Sequence, residues 1–345
     1  MKKPILILKI GTASITKSDG SLDEPAMVEI ARQVALLHRQ YRLVLVSSGA
    51  VGTGKKYLNS FQGSITDRKA AAAIGNPILM GKYSQFFSPY GIAVAQSLCE
   101  RQHFSSRRQF LQLRETFHTL WDHGIIPIAN ENDVVSNLEL KFSDNDELAT
   151  LIAVGFGADQ LLLGTSVPGV YDQAGQLVDR IPRFNSEVMG WARKETSSGG
   201  LGGMISKLTF AKLATKMGTE VVIFGAKSPN GIIDAAAGRT GTICEPQPAE
   251  LSARKKWLAS GCLVAGQLIL DEGAKKAMEA RKSLLAVGVK TVQGEFSAGE
   301  VVELLCEDGR SFALARVKIN ARNMQTALGT QDVEVAHADE IVLLD

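Results

Sequence analysis

Three things are scarce in this sequence, and each shortage removes a class of protein. Net charge is nearly absent: 38 Lys and Arg against 36 Asp and Glu leave +2, too little for a global field that attracts nucleic acid or a membrane surface. No apolar run approaches the roughly 20 residues needed to span a bilayer. Only four cysteines occur, Cys99, Cys244, Cys262 and Cys306, scattered and without a CxxC pair, so neither a disulfide framework nor a zinc cage is written into the chain. The cytoplasm is the simplest compartment for such a composition. The N-terminal MKKPILILKIGT mimics a signal peptide, but Lys9 interrupts the apolar run, no small-residue cleavage site follows, and the period suits a strand.

Length, by contrast, is ample. At 345 residues the chain exceeds the roughly 250 to 300 at which single cores stop growing, so two domains are expected. Residues 4–10, 42–46, 92–98, 125–128 and 160–163 read as apolar strands. Residues 24–39, 67–90 and 106–123 carry helical spacing between them. This alternation predicts an α/β fold, a mainly parallel sheet sandwiched by helices, over residues 1–250. Beyond it the texture changes. Short strands at 262–264, 266–269, 301–306 and 312–319, one helix at 271–280 and several glycine turns predict a small β-rich barrel or sandwich over residues 251–345.

Chemistry concentrates in residues 125–148, IIPIANENDVVSNLELKFSDNDEL, where an apolar strand runs into two acidic, amide-rich clusters. Ligands of open α/β sheets sit just beyond such strand ends. The second cluster, Asp144, Asn145, Asp146 and Glu147, has a structural reading as a capping box for the helix that follows. Capping leaves Asn145 and Asp146 without a task. Lys9 is a second signal: most lysines are solvated, yet this one follows five apolar residues and precedes the small-residue turn Gly11, Thr12.

Two glycine-rich stretches add to these. Gly49 to Lys55 matches the GxxxxGK part of a Walker A loop, but Lys56 stands where Ser or Thr should bind magnesium, and the loop follows the second strand. The other reading of SSGAV is an amide-rich turn that grips a carboxylate at a helix N-terminus, with Ser48 at its centre. Residues 197–207, SSGGLGGMISK, place four glycines and Lys207 at the start of a helix. That pattern suits phosphate binding by backbone amides and a helix dipole; a flexible linker is the alternative.

Taken in order, KIGT, VSSGAV, NENDVV, FSDNDELA, GLGGMISK and VGVKTVQGEFSAGEVVEL resemble the glutamate-phosphorylating branch of the amino-acid kinase family, which carries a C-terminal PUA domain. The resemblance implies transfer of the ATP γ-phosphoryl group to the γ-carboxylate of L-glutamate, the first step of proline biosynthesis, with Mg²⁺ bridging ATP oxygens and no protein ligand for it assigned. It implies that Lys9 and Lys207 bind ATP phosphates and stabilise the transferring group, with Asp146 orienting both. It places glutamate on Ser48, Asp133 and Asn145, and the nucleotide on Thr165, Ser166 and Leu201, Gly202, Gly203, Met204, Ile205, Ser206 and Lys207. Ser166 stands where relatives usually have Asp, and Leu201 where Thr is common, which bears on adenine and ribose affinity. Proline as feedback inhibitor and a homo-oligomer, dimer or tetramer, are further implications. Alternatives are a sister kinase acting on acetylglutamate or aspartate, and an RNA-binding PUA protein. Against RNA stand 12 basic and 13 acidic residues over 253–345 and few aromatics there.

Overall fold

The computed structural model describes residues 3–17, 20–135, 144–191, 203–247 and 264–343. Leu201, Gly202 and Cys262 lie outside them, as do most of the glycine loop and the expected connection after residue 249. By its internal contacts the chain divides into two units. One comprises Met1–Glu100 with Leu111–Ala249, the other Arg101–Phe110 with Glu250–Asp345.

In the first unit the strands are β1 (Ile5–Ile10), β2 (Arg42–Ser47), β3 (Val94–Cys99), β4 (Ile126–Glu131), β5 (Gln160–Thr165), β6 (Arg180–Ile181), β7 (Glu220–Gly225) and β8 (Thr242–Cys244). The helices are α1 (Thr12–Ile15), α2 (Glu24–His38), α3 (Ala50–Gly54), α4 (Ile65–Phe87), α5 (Gln102–Ser105), α6 (Arg107–Asp122), α7 (Asn145–Phe156), α8 (Ser186–Trp191), α9 (Met204–Lys216) and α10 (Gly231–Ala236); α5 and the first turn of α6 fall in the stretch grouped with the second unit. The eight strands are ordered β3-β4-β2-β1-β5-β7-β8-β6, and all pairings are parallel except β7 with β8. The expected mainly parallel sheet is therefore present. The parallel strands β3, β4, β2, β1, β5 and β7 deliver their C-terminal ends to one edge.

Alternation along β1 decides what faces that edge. Leu6, Leu8 and Ile10 join a core with Met27, Ile30 and Val34 of α2 and Leu79, Tyr83 and Phe87 of α4. Ile7 and Lys9 point to the opposite face, where α7 packs on β1. The helix predicted from residue 67 begins two residues earlier, because Ser64 and Asp67 form a reciprocal capping box. The crossing of α3 and α4 is unusually close. A Cβ on Gly54 would lie 1.9 Å from the Ala71 carbonyl oxygen, and one on Gly75 would lie 1.8 Å from that of Ala50; only glycine admits this backbone-to-backbone approach.

The second unit holds a five-stranded sheet, ordered β11-β9-β12-β13-β15, and a two-stranded β10-β14 pair. These are β9 (Val264–Leu270), β10 (Leu284–Leu285), β11 (Val289–Gly294), β12 (Val301–Leu305), β13 (Ser311–Arg316), β14 (Glu334–Ala336) and β15 (Ile341–Leu343). Among the described residues after 263 two α-helices accompany them, α11 (Glu272–Glu279) and α12 (Ala321–Ala327), where the sequence suggested one. Of the strand expected at 262–264 only Val264 lies among the described residues, and it shares β9 with the strand expected at 266–269; Gly266 sits inside β9, where its missing side chain makes room for the Phe296 ring. No described helix is long and apolar enough to cross a membrane.

Candidate active site

Four elements meet where the parallel strands end. Lys9 is the penultimate residue of β1, held in register with Val46 and Leu163 by the flanking strands. Asp146 lies in the first turn of α7 and Lys207 in the first turn of α9. Lys9 Nζ is 2.7 Å from Asp146 Oδ1, and Lys207 Nζ donates to Asp146 Oδ2 at 2.8 Å. Lys9, Lys207 and Asp146 are 7 %, 5 % and 0 % exposed respectively, which takes the cluster out of the range of weak surface ion pairs. Burial pushes the Asp146 carboxyl upward, but the two ammonium groups overcome it and hold the group below the ordinary carboxylate value. The geometry thus joins two positive tips through one ionised carboxylate.

The neighbouring Asp144 is the N-cap of α7. Its Oδ1 accepts from the backbone N–H groups of Asp146 and Glu147 at 2.9 and 3.0 Å, and its Oδ2 accepts the Ser206 hydroxyl. The capping reading of this cluster holds for Asp144, while Asn145 and Asp146 turn to other partners. Burial, followed by the charge of Asp146, raises the Asp144 carboxyl above its ordinary value; Ser206 and the two lysines oppose the shift. Asp144 and Ser206 thereby tie the start of α7 to the start of α9, fixing the spacing between Asp146 and Lys207.

On the other side of Asp146, Asn145 reaches the turn after β2. Its Nδ2 lies 2.8 Å from Ser48 Oγ, 3.1 Å from the Ser47 carbonyl and 3.1 Å from Asn130 Oδ1. Gly49, at φ +103°, reverses the chain into α3, a conformation that favours glycine. This is the near-Walker stretch. It forms a small turn against α7, with Ser48 N–H on the Ile10 carbonyl at 3.3 Å.

The remaining expected residues spread around this centre. Asp133 is half-buried two residues past the end of β4. Thr165 closes β5, half-buried, and Ser166 follows it exposed. Gly203 is the N-cap of α9 in extended conformation, Met204 is buried, and Ile205 is 54 % exposed. Lys9, Asp146, Lys207, Ser206, Asn145 and Ser48 are brought together by direct or shared contacts. Sequence reasoning assigned no role to Asn76 or Tyr83, and placed Asn130 only in the strand-end cluster and Ser47 only in the amide-rich turn. Asn130 Nδ2 donates to Asn76 Oδ1 at 3.2 Å, and the Tyr83 and Ser47 hydroxyls are 2.8 Å apart. The available signal was a lone amide in the apolar stretch AAAAIGNPILM.

Chemically, the site offers two buried cations, a carboxylate that fixes them, and an amide-and-hydroxyl cluster beside them. Helix N-termini of α7 and α9 add positive dipole ends. Such a set suits two anions that must be held against one another.

Likeness to known proteins bears on the family of the chain. The amino acid kinase family model matches residues 4–225, and the PUA domain model matches residues 266–338. Glutamate 5-kinase from Haemophilus influenzae strain PittGG is 34 % identical over 368 residues, covering 100 % of both chains. Glutamate 5-kinase from Kosmotoga olearia is 37 % identical over 329 residues, covering 94 % of this chain and 91 % of the relative. Among solved structures, carbamate kinase from Giardia lamblia bound to AMP-PNP aligns with a TM-score of 0.53 at 17 % identity, over 71 % of this chain and 99 % of that one, a likeness of fold. The chain belongs to the amino acid kinase family, carries a PUA domain after its kinase domain, and is similar along its whole length to glutamate 5-kinases.

Proposed function

We propose that this chain transfers the γ-phosphoryl group of ATP to the γ-carboxylate of L-glutamate, forming γ-glutamyl phosphate and ADP, the first step of proline biosynthesis. The observation that carries the mechanism is the bridging of Lys9 and Lys207 by Asp146 at 2.7 and 2.8 Å. The glutamate side chain, with a reference pKa of about 4.3, is ionised at neutral pH and needs no general base. A γ-carboxylate oxygen forms the new bond to phosphorus as the bond to the β,γ-bridging oxygen breaks, and ADP leaves with that electron pair. Catalysis then consists of alignment and neutralisation of negative charge.

In this reading Lys9 and Lys207 flank the migrating group, and Asp146 keeps both tips directed there without reorganisation during the step. Ser48, Asn145 and Asp133 hold the amino acid, Asp133 being suited to its α-ammonium group and the Ser48 turn to its α-carboxylate. Thr165, Ser166 and the stretch from Leu201 to Lys207 hold the nucleotide. Mg²⁺ would be an ion carried on the nucleotide, since both Asp146 oxygens go to lysines. It would neutralise phosphate oxygens; no step here is routed through it.

Residues 1–250 form the kinase domain and 251–345 the PUA domain in this assignment, and the chain works in the cytoplasm as a homo-oligomer, dimer or tetramer. Proline, the cyclised product of the pathway, competes with glutamate; initial rates at varied glutamate test this, and purely noncompetitive inhibition contradicts it. Acetylglutamate, aspartate and RNA are not favoured by the full-length relatives, which are glutamate 5-kinases. Protein, ATP, Mg²⁺, glutamate and hydroxylamine should yield a hydroxamate. Folded protein that traps none would overturn the assignment.

A further inference from the structure

We propose that Asn76, on α4, is a positioning residue for the amino-acid substrate, acting through Asn130 and Asn145; this rests on the glutamate kinase reading. Three amides form a relay across three elements. Asn76 Oδ1 accepts from Asn130 Nδ2 at 3.2 Å, and Asn130 Oδ1 accepts from Asn145 Nδ2 at 3.1 Å. Asn145 Nδ2 also engages the Ser47 carbonyl and Ser48 Oγ.

The relay has a fixed polarity, because two of its three amides, Asn145 and Asn130, are each anchored by a backbone group with one role. The Ser47 carbonyl only accepts, so Asn145 must turn its nitrogen to the Ser47 and Ser48 turn. The Glu131 backbone N–H only donates, and it reaches Asn130 Oδ1 at 2.9 Å. Asn130 must therefore turn its nitrogen to Asn76, and Asn76 must answer with an acceptor. What position 76 supplies is one hydrogen-bond acceptor. Its own Nδ2 is buried without a partner, and so is Asn145 Oδ1; Asn76 as a residue is 5 % exposed. Leaving a buried donor unsatisfied is costly, so this amide is not a packing convenience.

The same helix face reaches the turn a second time. Tyr83, two turns along α4 from Asn76, pairs its hydroxyl with Ser47 Oγ at 2.8 Å, and Ser47 Oγ in turn bonds the Ser48 carbonyl at 3.1 Å. The glycine contacts between α3 and α4 bring this face within reach. One face of α4 thus sets the orientation of the substrate turn directly and of Asn145 by relay.

The test is steady-state kinetics of Asn76→Leu and Asn76→Asp, with Gln160→Leu as a control at a buried polar position whose bonds go to Glu220 and the Ala236 carbonyl. Asn76→Leu removes the acceptor: KM for glutamate should rise about tenfold while KM for ATP stays within about twofold, the scale of one lost hydrogen bond. Asn76→Asp keeps the acceptor and should restore KM for glutamate to within about threefold of wild type. Gln160→Leu should lower the melting temperature with the ratio of the two KM values unchanged, and Asn76→Ala supplies a smaller side chain should the leucine variant not fold. An unchanged ratio in the folded leucine or alanine variant overturns the inference alone. So does a defect in Asn76→Asp larger than in Asn76→Leu, which would make the amide nitrogen a direct ligand. A wild-type protein that does not turn over glutamate overturns the kinase reading and this inference with it.

Discussion

Lys9 and Lys207, remote in sequence, end on the two oxygens of a single carboxylate, that of Asp146. Neither lysine is placed by a loop: one is fixed by the register of β1 between β2 and β5, the other by the first turn of α9. Their separation is therefore a property of the scaffold, set before any substrate arrives.

Removing the shared counter-ion should damage both stability and rate. Asp146→Asn keeps the volume but leaves two buried ammonium groups without a negative partner. Urea unfolding should show a loss of about 3 to 5 kcal/mol. Hydroxamate formation should slow by about 100-fold or more, the scale of losing a preorganised electrostatic group.

The two acidic residues at the start of α7 should respond to pH with opposite signs. Asp146 has a folded value below its ordinary 3.8, so its stabilisation is complete above 3.8 and is lost as pH falls through the folded value. Asp144 has a folded value above 3.8, so its stabilisation is present below 3.8 and is lost as pH rises through the folded value. Denaturation curves between pH 3 and 7 should show Asp146→Asn converging on wild type only in acid. Asp144→Asn, which keeps an N-cap acceptor, should gain on wild type as pH rises above 3.8.

At the crossing of α3 and α4, even one methyl group is too much. Gly75→Ala places a Cβ 1.8 Å from the Ala50 carbonyl oxygen, a backbone atom that cannot swing aside. A loss of about 3 kcal/mol or more in urea unfolding is expected. Because Asn76 is the next residue, the surviving folded protein should also bind glutamate more weakly; unchanged stability would show that the helices part without cost.

Much of this site is legible in the sequence, for identifiable reasons. Lys9 stood out because a charged residue interrupts an otherwise apolar strand, and Asp146 because capping employs Asp144 and leaves its neighbours over. The parallel sheet followed from alternating strand and helix periods. What was not legible depends on contacts between distant segments. Asn76 has no local oddity beyond its polarity, and its meaning arises only once Gly54 and Gly75 let α4 approach the turn. The short strands β6, β8, β10, β14 and β15 span two or three residues each, too few to display a period. β11, VKTVQG, is mostly exposed, so its sequence lacks the apolar face by which strands were recognised. Ile205, grouped with the nucleotide residues, is largely exposed, because a helix N-terminus offers its backbone amides whatever its side chains do.

The most direct test is single-turnover hydroxamate trapping by Lys9→Met and Lys207→Met, with ATP and glutamate at saturation. The account predicts that both variants bind the two substrates yet form product at least about 1,000-fold more slowly, since each loses a cation flanking the transferred group. A rate within about tenfold of wild type in either variant would contradict it.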